Sequence, residues 1–312
     1  MKGKIALPVL ALGIVASVAA FSPVGDASST TGTTERVSVD SDSLGLSAGA
    51  NGESSVGLIV FNPDLHYPVA VMNEDGSSLL VVGGDEDPMW SPNGRYIASG
   101  NVRVDEWVGD KTVFVGYFGD HSPHADSGLC RSIDWAPDSS SIVGRVGNTD
   151  IAIFNLESGS TRYLTNEASF PGYSHQIWCP SWSPDGTTIA FEAWLTPTSG
   201  ETQDQRIFLA NVATGSLTDL SGPGAHDWAP SWSPDGNKLL FESGDHEFHG
   251  LYVMNLVDRS VTPLWRDSAN WVNGASWSPD GGNIAFSTWG AAGPSLSVIP
   301  STGGTRRVLS SD

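Results

Sequence analysis

One short stretch of the chain combines side chains that could bind a metal ion, the pentapeptide Asp245-His246-Glu247-Phe248-His249. Imidazole nitrogens and carboxylate oxygens are common ligands of zinc and related ions. His175 and His226, from other predicted loops, would be the natural additional ligands. Short His/Glu clusters also occur in loops that bind nothing, so we expect no cofactor and assign no catalytic residue. The weak metal candidates are His175, His226, His246 and His249.

Tryptophans are the second group of residues whose positions suggest chemistry. Six of the twelve fall in loops that enter or follow predicted strands at one end of the repeats, namely Trp107, Trp178, Trp194, Trp228, Trp271 and Trp289. Indole rings stack on sugar rings or on proline-rich peptides, and imidazoles hydrogen-bond polar groups. We therefore predict that these tryptophans form a ligand-binding face together with His175, His226, His246 and His249. The alternative is that the rings only cap the strands and the histidines are ordinary loop residues.

A motif of the type Trp-Ser-Pro-Asp-Gly identifies the elements that must position these residues. Its five copies span residues 89–94, 134–139, 181–186, 231–236 and 276–281, with their tryptophans 45 to 50 residues apart. Proline presets φ in a tight turn, Asp can hydrogen-bond the nearby backbone, and Gly accepts the left-handed conformation. The tryptophan offers a large apolar area for packing one sheet on the next. The repeated acids are therefore predicted to be turn residues, namely Asp138, Asp185, Asp235 and Asp280.

Three further apolar runs follow each motif and complete a repeat unit. In the third unit they are residues 189–191, 207–210 and 217–220. With the strand that carries the tryptophan, each unit is predicted to form four antiparallel strands. Residues 57–82 resemble a sixth unit without the motif, and we expect the segment around residues 36–39 to help close the ring. The sequence thus predicts an all-β protein, a six-bladed β-propeller of four-stranded antiparallel blades.

The motif also resembles a known repeat. Together with the later pattern Leu251-Tyr252-Val253-Met254-Asn255, it is similar to the TolB-like repeat, which belongs to the WD-repeat-like propellers. The resemblance covers roughly residues 57 to 310 and implies the fold. TolB proteins also carry an N-terminal α/β domain, and we expect that domain to be absent because only about thirty residues separate the apolar N-terminal run from the repeats.

The charge balance excludes some classes of partner. The chain has 35 acidic and 15 basic residues, which gives a formal net charge of −20. Nucleic acids and anionic lipid surfaces require a basic surface, so we expect neither as a partner. We expect a monomer.

The N-terminus predicts export. Residues 1–20 combine Lys2 and Lys4 with an apolar run, as a signal peptide does, and cleavage could fall as late as residue 27. We expect residues 28–56 to be a linker with the ring-closing strand, residues 57–312 to be the propeller, and no membrane span after cleavage. The protein would then be extracytoplasmic: secreted, periplasmic or at the cell surface. In such a compartment Cys130 and Cys179 can form a disulfide, with two buried thiols as the alternative.

These observations favour binding over catalysis. We predict an exported β-propeller binding module that recognises a protein, peptide or glycan through the face rich in Trp and His. The alternative is a metal-assisted polysaccharide lyase or hydrolase at the mouth of the propeller channel. The repeat does not decide between them, because a propeller is a scaffold that supports many functions.

Overall fold

The structure is a computed structural model that describes most of the repeat region. The described residues are 58–61, 70–73, 80–81, 88–99, 103–108, 111–117, 133–200, 202–244, 249–290 and 293–311. Within these ranges no helix has the length and apolar character needed to cross a bilayer. The predicted signal peptide and the segment around residues 36–39 lie outside them.

Five four-stranded antiparallel sheets make up most of the described chain, one for each copy of the motif. The first blade contains β4 (Met89–Trp90), β5 (Tyr96–Ser99), β6 (Arg103–Val108) and β7 (Lys111–Tyr117). The second contains β8 (Ile133–Trp135), β9 (Ser141–Val146), β10 (Asp150–Asn155) and β11 (Thr161–Tyr163). The third contains β12 (Tyr173–Trp182), β13 (Thr188–Pro197), β14 (Asp204–Asn211) and β15 (Leu217–Asp219). The fourth contains β16 (Asp227–Trp232), β17 (Lys238–Gly244), β18 (His249–Asn255) and β19 (Val261–Asp267). The fifth contains β20 (Asn270–Trp277), β21 (Asn283–Gly290), β22 (Gly293–Pro300) and β23 (Arg307–Ser311). The predicted four strands per motif are confirmed.

The number of blades differs from the prediction. The region that precedes the first motif forms a three-stranded sheet, with β1 (Leu58–Phe61), β2 (Ala70–Asn73) and β3 (Leu80–Val81). The fold is therefore a propeller with five four-stranded blades, and the prediction of six was wrong. The physical reason is that this region lacks the Trp-Ser-Pro-Asp-Gly segment, which supplies both the first strand and the turn into the second in every four-stranded blade.

The motif turn is stabilised by its own side chains. In the fourth blade the Ser233 hydroxyl donates to Asp235 Oδ1 at 2.6 Å, and the Lys238 N–H donates to Ser233 Oγ at 2.9 Å. Gly236 closes the turn with a φ of 71°, which favours glycine. The third and fifth blades repeat the contact between serine and aspartate. The repeated aspartates therefore stabilise turns.

Neighbouring blades are joined by the motif tryptophans and by buried apolar side chains. The Trp232 indole N–H donates to the Ser181 carbonyl of the preceding blade, and Trp277 donates to Ser231 in the same way, both at 3.1 Å. Phe191 and Phe286 are completely buried in the apolar clusters between blades. The tryptophan thus combines an apolar contact with a hydrogen bond across the blade interface.

A bulge interrupts the first strand of the third, fourth and fifth blades just before the motif tryptophan. Cys179, Ala229 and Gly274 occupy equivalent positions in these bulges, with φ of 53°, 50° and 67°. Pro180 and Pro230 follow two of them, within strands that form a sheet edge, where a missing N–H is tolerated. The bulge re-aims the strand residues that precede it, and these include three of the predicted binding tryptophans.

Candidate binding surface

Strand register brings most of the predicted tryptophans to the same end of the blades. Trp271 lies directly opposite Trp289 across β20 and β21, and Trp228 lies opposite Glu242 across β16 and β17. Trp194 lies opposite Gln176, close to Trp178 along β12. Trp107 differs from the prediction, because it lies in β6, the third strand of the first blade, beside the turn into β7. Strand register therefore places its backbone at the other end of the blade, and its side chain lies outside the described part of the structure. The ligand-binding role of the group stays a proposal.

The most exposed part of this end is a pair of indole rings in the fifth blade. Trp271 is 55% exposed and Trp289 is 57% exposed. Because residues paired across antiparallel strands project to the same side of a sheet, the two rings stand side by side. His249, at the start of β18 in the fourth blade, stacks on Trp271 with the ring centroids 3.4 Å apart. We call Trp228, His249, Trp271 and Trp289 the aromatic surface.

Trp228 connects the aromatic surface to a buried carboxyl group. Its ring meets that of His249 edge-on with the centroids 6.3 Å apart. Its indole N–H donates to Glu242 Oε2 at 2.8 Å. The backbone N–H groups of Gly274 and Ala275, at the bulge of the next blade, also hydrogen-bond the Glu242 carboxyl. Glu242 thus fixes Trp228 and the neighbouring blade together.

The third blade repeats this arrangement with a second carboxyl. Glu192 accepts hydrogen bonds from the Trp194 indole and from the Ala229 N–H at the bulge of the fourth blade, the latter at 3.3 Å. The Trp194 ring lies 6.1 Å from that of Trp178, between centroids. The Arg145 guanidinium lies over the Trp178 ring, 3.8 Å from its centroid. This second aromatic group is only partly exposed and is ordered by charge and hydrogen bonds.

Burial strongly affects the acidity of the two carboxyls. It raises the pKa of Glu192 to about 7 and that of Glu242 to about 8. Hydrogen bonds from indole and backbone N–H groups oppose the shift, while the Glu192 carboxylate adds to the shift of Glu242. A buried carboxyl avoids the cost of desolvating its charge by keeping its proton. Both side chains therefore titrate near neutral pH.

Sequence reasoning left these buried groups out of the predicted site. Glu192 and Glu242 each follow a phenylalanine at the same position of two repeats, and Arg145 occupies that position in the second blade. The repeated Phe-Glu pair is the signal that could have found them. It indicates a shared place in the repeat, and only the structure adds the bonds to the bulge of the next blade.

The predicted histidines differ in their surroundings. His175 is buried, and its ring packs on Phe170 with the centroids 4.7 Å apart, so it belongs to the core of the third blade. His226 is exposed at the start of the fourth blade and pairs through its backbone with Gln205. His246 lies outside the described residues. Of the four, only His249 joins the aromatic surface.

Within the described ranges, His, Cys, Asp and Glu side chains form no group of three or more that could hold a metal ion. The candidate set that includes His246 stays untested. Cys179 is buried, with Sγ 3.2 Å from Glu192 Oε2. Its predicted partner Cys130 lies outside the described residues, so the disulfide stays a prediction.

Comparison with known proteins supports the propeller fold. The TolB beta propeller domain family matches residues 172–312, which correspond to the third, fourth and fifth blades. The chain is a TolB-like propeller. No protein of curated function matches the sequence significantly. The motif therefore identifies the fold without a function.

Solved structures show the same fold at low sequence identity. The TolB-like propeller is similar to a protein described as TolB from Agrobacterium tumefaciens, at 20% identity and a TM-score of 0.54, over 72% of this chain and 80% of that one. TolB from Acinetobacter baumannii gives 19% identity and a TM-score of 0.54, over 76% of this chain and 58% of that one. An oligogalacturonate lyase in complex with manganese gives 14% identity and a TM-score of 0.56, over 80% of this chain and 73% of that one.

Proposed function

We propose that this TolB-like propeller is a binding module that recognises a protein, peptide or glycan through the aromatic surface. One observation carries the proposal: Trp271 and Trp289 are directly paired across β20 and β21, and each is more than half exposed. A soluble protein leaves few large aromatic rings in water unless they bind something, and paired exposed rings mark an interaction site. Likeness to the oligogalacturonate lyase extends to the fold alone, so we do not propose lyase activity.

We also propose that the module acts outside the cytoplasm. Support comes from the sequence of residues 1–20, which has the charge and apolar run of a signal peptide. In an oxidising compartment Cys130 and Cys179 would form a disulfide. The mass of the exported protein tests both points. It should correspond to a chain that begins between residues 21 and 28 and lacks two hydrogen atoms, and a full-length mass with two thiols would contradict them.

Removal of the exposed rings is expected to abolish binding without unfolding the protein. The Trp271→Ala/Trp289→Ala variant loses contacts with the ligand but few contacts with the core. We would titrate the purified protein with neutral oligosaccharides, oligogalacturonate and proline-rich peptides, and follow the heat of binding. The proposal expects a saturable response from at least one class, lost in the variant. Tyr163→Ala is the matched control, because this ring is 58% exposed on β11 of another blade. Absence of any response, or equal binding by the variant, would refute the proposal.

A further inference from the structure

We infer that the ligand of the aromatic surface is a neutral glycan whose sugar rings lie on Trp271 and Trp289. This inference rests on the proposed function and adds the chemical class of the ligand. It follows from three features of the fifth blade: the arrangement of the rings, the absence of charge on their strands, and the small residues beside them.

The two rings form a platform on one side of the fifth sheet, and the backbone that carries them is in place before any ligand binds. Both residues lie within regular paired strands, so their backbones are fixed. The stack with His249, whose ring is tilted by 29° to that of Trp271, also restricts rotation of the Trp271 side chain. A preorganised ring loses little conformational freedom when a ligand arrives. The apolar face of a pyranose can therefore stack on such a platform at little entropic cost.

The strands that carry the platform have no charge. The sequences of β20, β21 and β22, eight residues each, contain no Asp, Glu, Lys or Arg, although the whole chain has 35 acidic and 15 basic residues. A cationic peptide would find no carboxylate on these three strands to pair with, and the nearby Asp267 carboxylate already accepts hydrogen bonds from the Ala269 N–H and the Asn270 amide. An anionic polymer would be repelled by the net charge of −20. A neutral ligand fits both conditions.

A glycine and an asparagine lie directly beside the platform. Gly290 follows Trp289, and a side chain there would collide with Asn270 Oδ1. The Asn270 amide donates through Nδ2 to Asp267 Oδ2 at 2.8 Å. Because this bond fixes the amide, Oδ1 is directed to the Gly290 backbone at the edge of the platform, where it can accept a hydrogen bond from a sugar hydroxyl. A proline-rich peptide instead prefers a groove between aromatic ridges, whereas these two rings belong to directly paired residues of a single sheet.

A direct comparison of ligand classes tests the inference. The intact exported protein would be titrated calorimetrically with a panel of neutral hexasaccharides of glucose, mannose, galactose and N-acetylglucosamine. Hexagalacturonate and a proline-rich peptide would serve as the other two classes. We expect at least one neutral sugar to bind, and each of Trp271→Ala and Trp289→Ala to weaken it about tenfold or more. Trp271→Phe and Trp289→Phe should retain most of the affinity, as should Tyr163→Ala.

The outcomes separate this inference from the proposed function. If only the peptide binds, and the two tryptophan variants abolish that binding, the aromatic surface is a binding site and the glycan inference is wrong. Preference for hexagalacturonate over every neutral sugar would also overturn it. If a neutral sugar binds and the tryptophan variants bind it as well as the wild type does, both the inference and the proposed function fail.

Discussion

The free energy of unfolding is expected to fall as the pH rises from 4.5 to about 8, because burial raises the pKa of Glu192 and Glu242 from the ordinary value of 4.5 to about 7 and about 8. Between these limits the folded protein holds protons that the unfolded chain has released. The stabilisation is complete below pH 4.5 and is lost as the pH passes through the folded-state values. Since one pKa unit corresponds to about 1.4 kcal/mol, each carboxyl contributes roughly 3 to 5 kcal/mol.

Urea unfolding at a series of pH values measures this effect. In the Glu192→Gln/Glu242→Gln variant most of the slope should disappear, because glutamine accepts the indole hydrogen bond and does not titrate. Glu157→Gln, at an exposed turn position, is the control and should keep the wild-type slope. A double variant with the same slope as the wild type would contradict the assignment.

The turn carboxyls act in the opposite direction, since hydrogen bonds from serine lower the pKa of Asp185, Asp235 and Asp280. Stability from these three is lost only in strong acid.

Replacement of Arg206 by alanine is expected to destabilise the third blade by roughly 3 kcal/mol, because it leaves the buried Asp204 carboxylate without its partner. The Arg206 side chain is only 7% exposed. Its Nε donates to Asp204 at 3.1 Å and its Nη1 to Asp219 at 3.2 Å. The guanidinium also lies 5.5 Å from the centroid of the Tyr173 ring. This one side chain therefore connects β14 to β15 and to the first strand of the blade.

An exposed ion pair of the first blade provides the comparison. Arg95 Nε donates to Glu106 Oε1 at 2.8 Å, but the Arg95 side chain is 60% exposed. Arg95→Ala should destabilise the protein far less than Arg206→Ala does, because water screens the pair and solvates the remaining Glu106 carboxylate. Thermal or urea unfolding of the two variants gives the difference. Equal losses of stability would show that Arg206 does not hold the blade in the way its contacts indicate.

The regular part of the fold could be predicted from the sequence because it is local and repeated. Each motif encodes its own turn through serine, proline, aspartate and glycine, and alternating apolar runs encode the strands. The blade count was wrong because residues 57–82 were counted as a full unit although they lack the motif. The bulges could not be predicted in the third and fourth blades. Cys179 and Ala229 adopt a positive φ there, although neither residue type favours it.

The site could be predicted in part. The pairing of Trp271 with Trp289 follows from antiparallel register, and the sequence placed both on one face. It did not reveal that His175 would pack on Phe170 in the core, because that contact joins β12 to a segment outside the strands. The sequence also did not reveal the hydrogen-bond partners of Glu192 and Glu242, since these partners lie at the bulge of the next blade. Ala229, for example, is 37 residues after Glu192 in the chain.

We propose that the ligand binds at Trp271 and Trp289, and NMR of the indole N–H groups would observe this contact at each ring. The protein would be labelled with ¹⁵N at its tryptophans, and the signals assigned by Trp271→Phe, Trp289→Phe and Trp277→Phe. The ligand would be the tightest binder from the titrations above. We expect the Trp271 and Trp289 signals to shift on saturation, whereas the signal of Trp277, which is buried between blades, should stay in place. Saturable binding with both surface signals unmoved would contradict it.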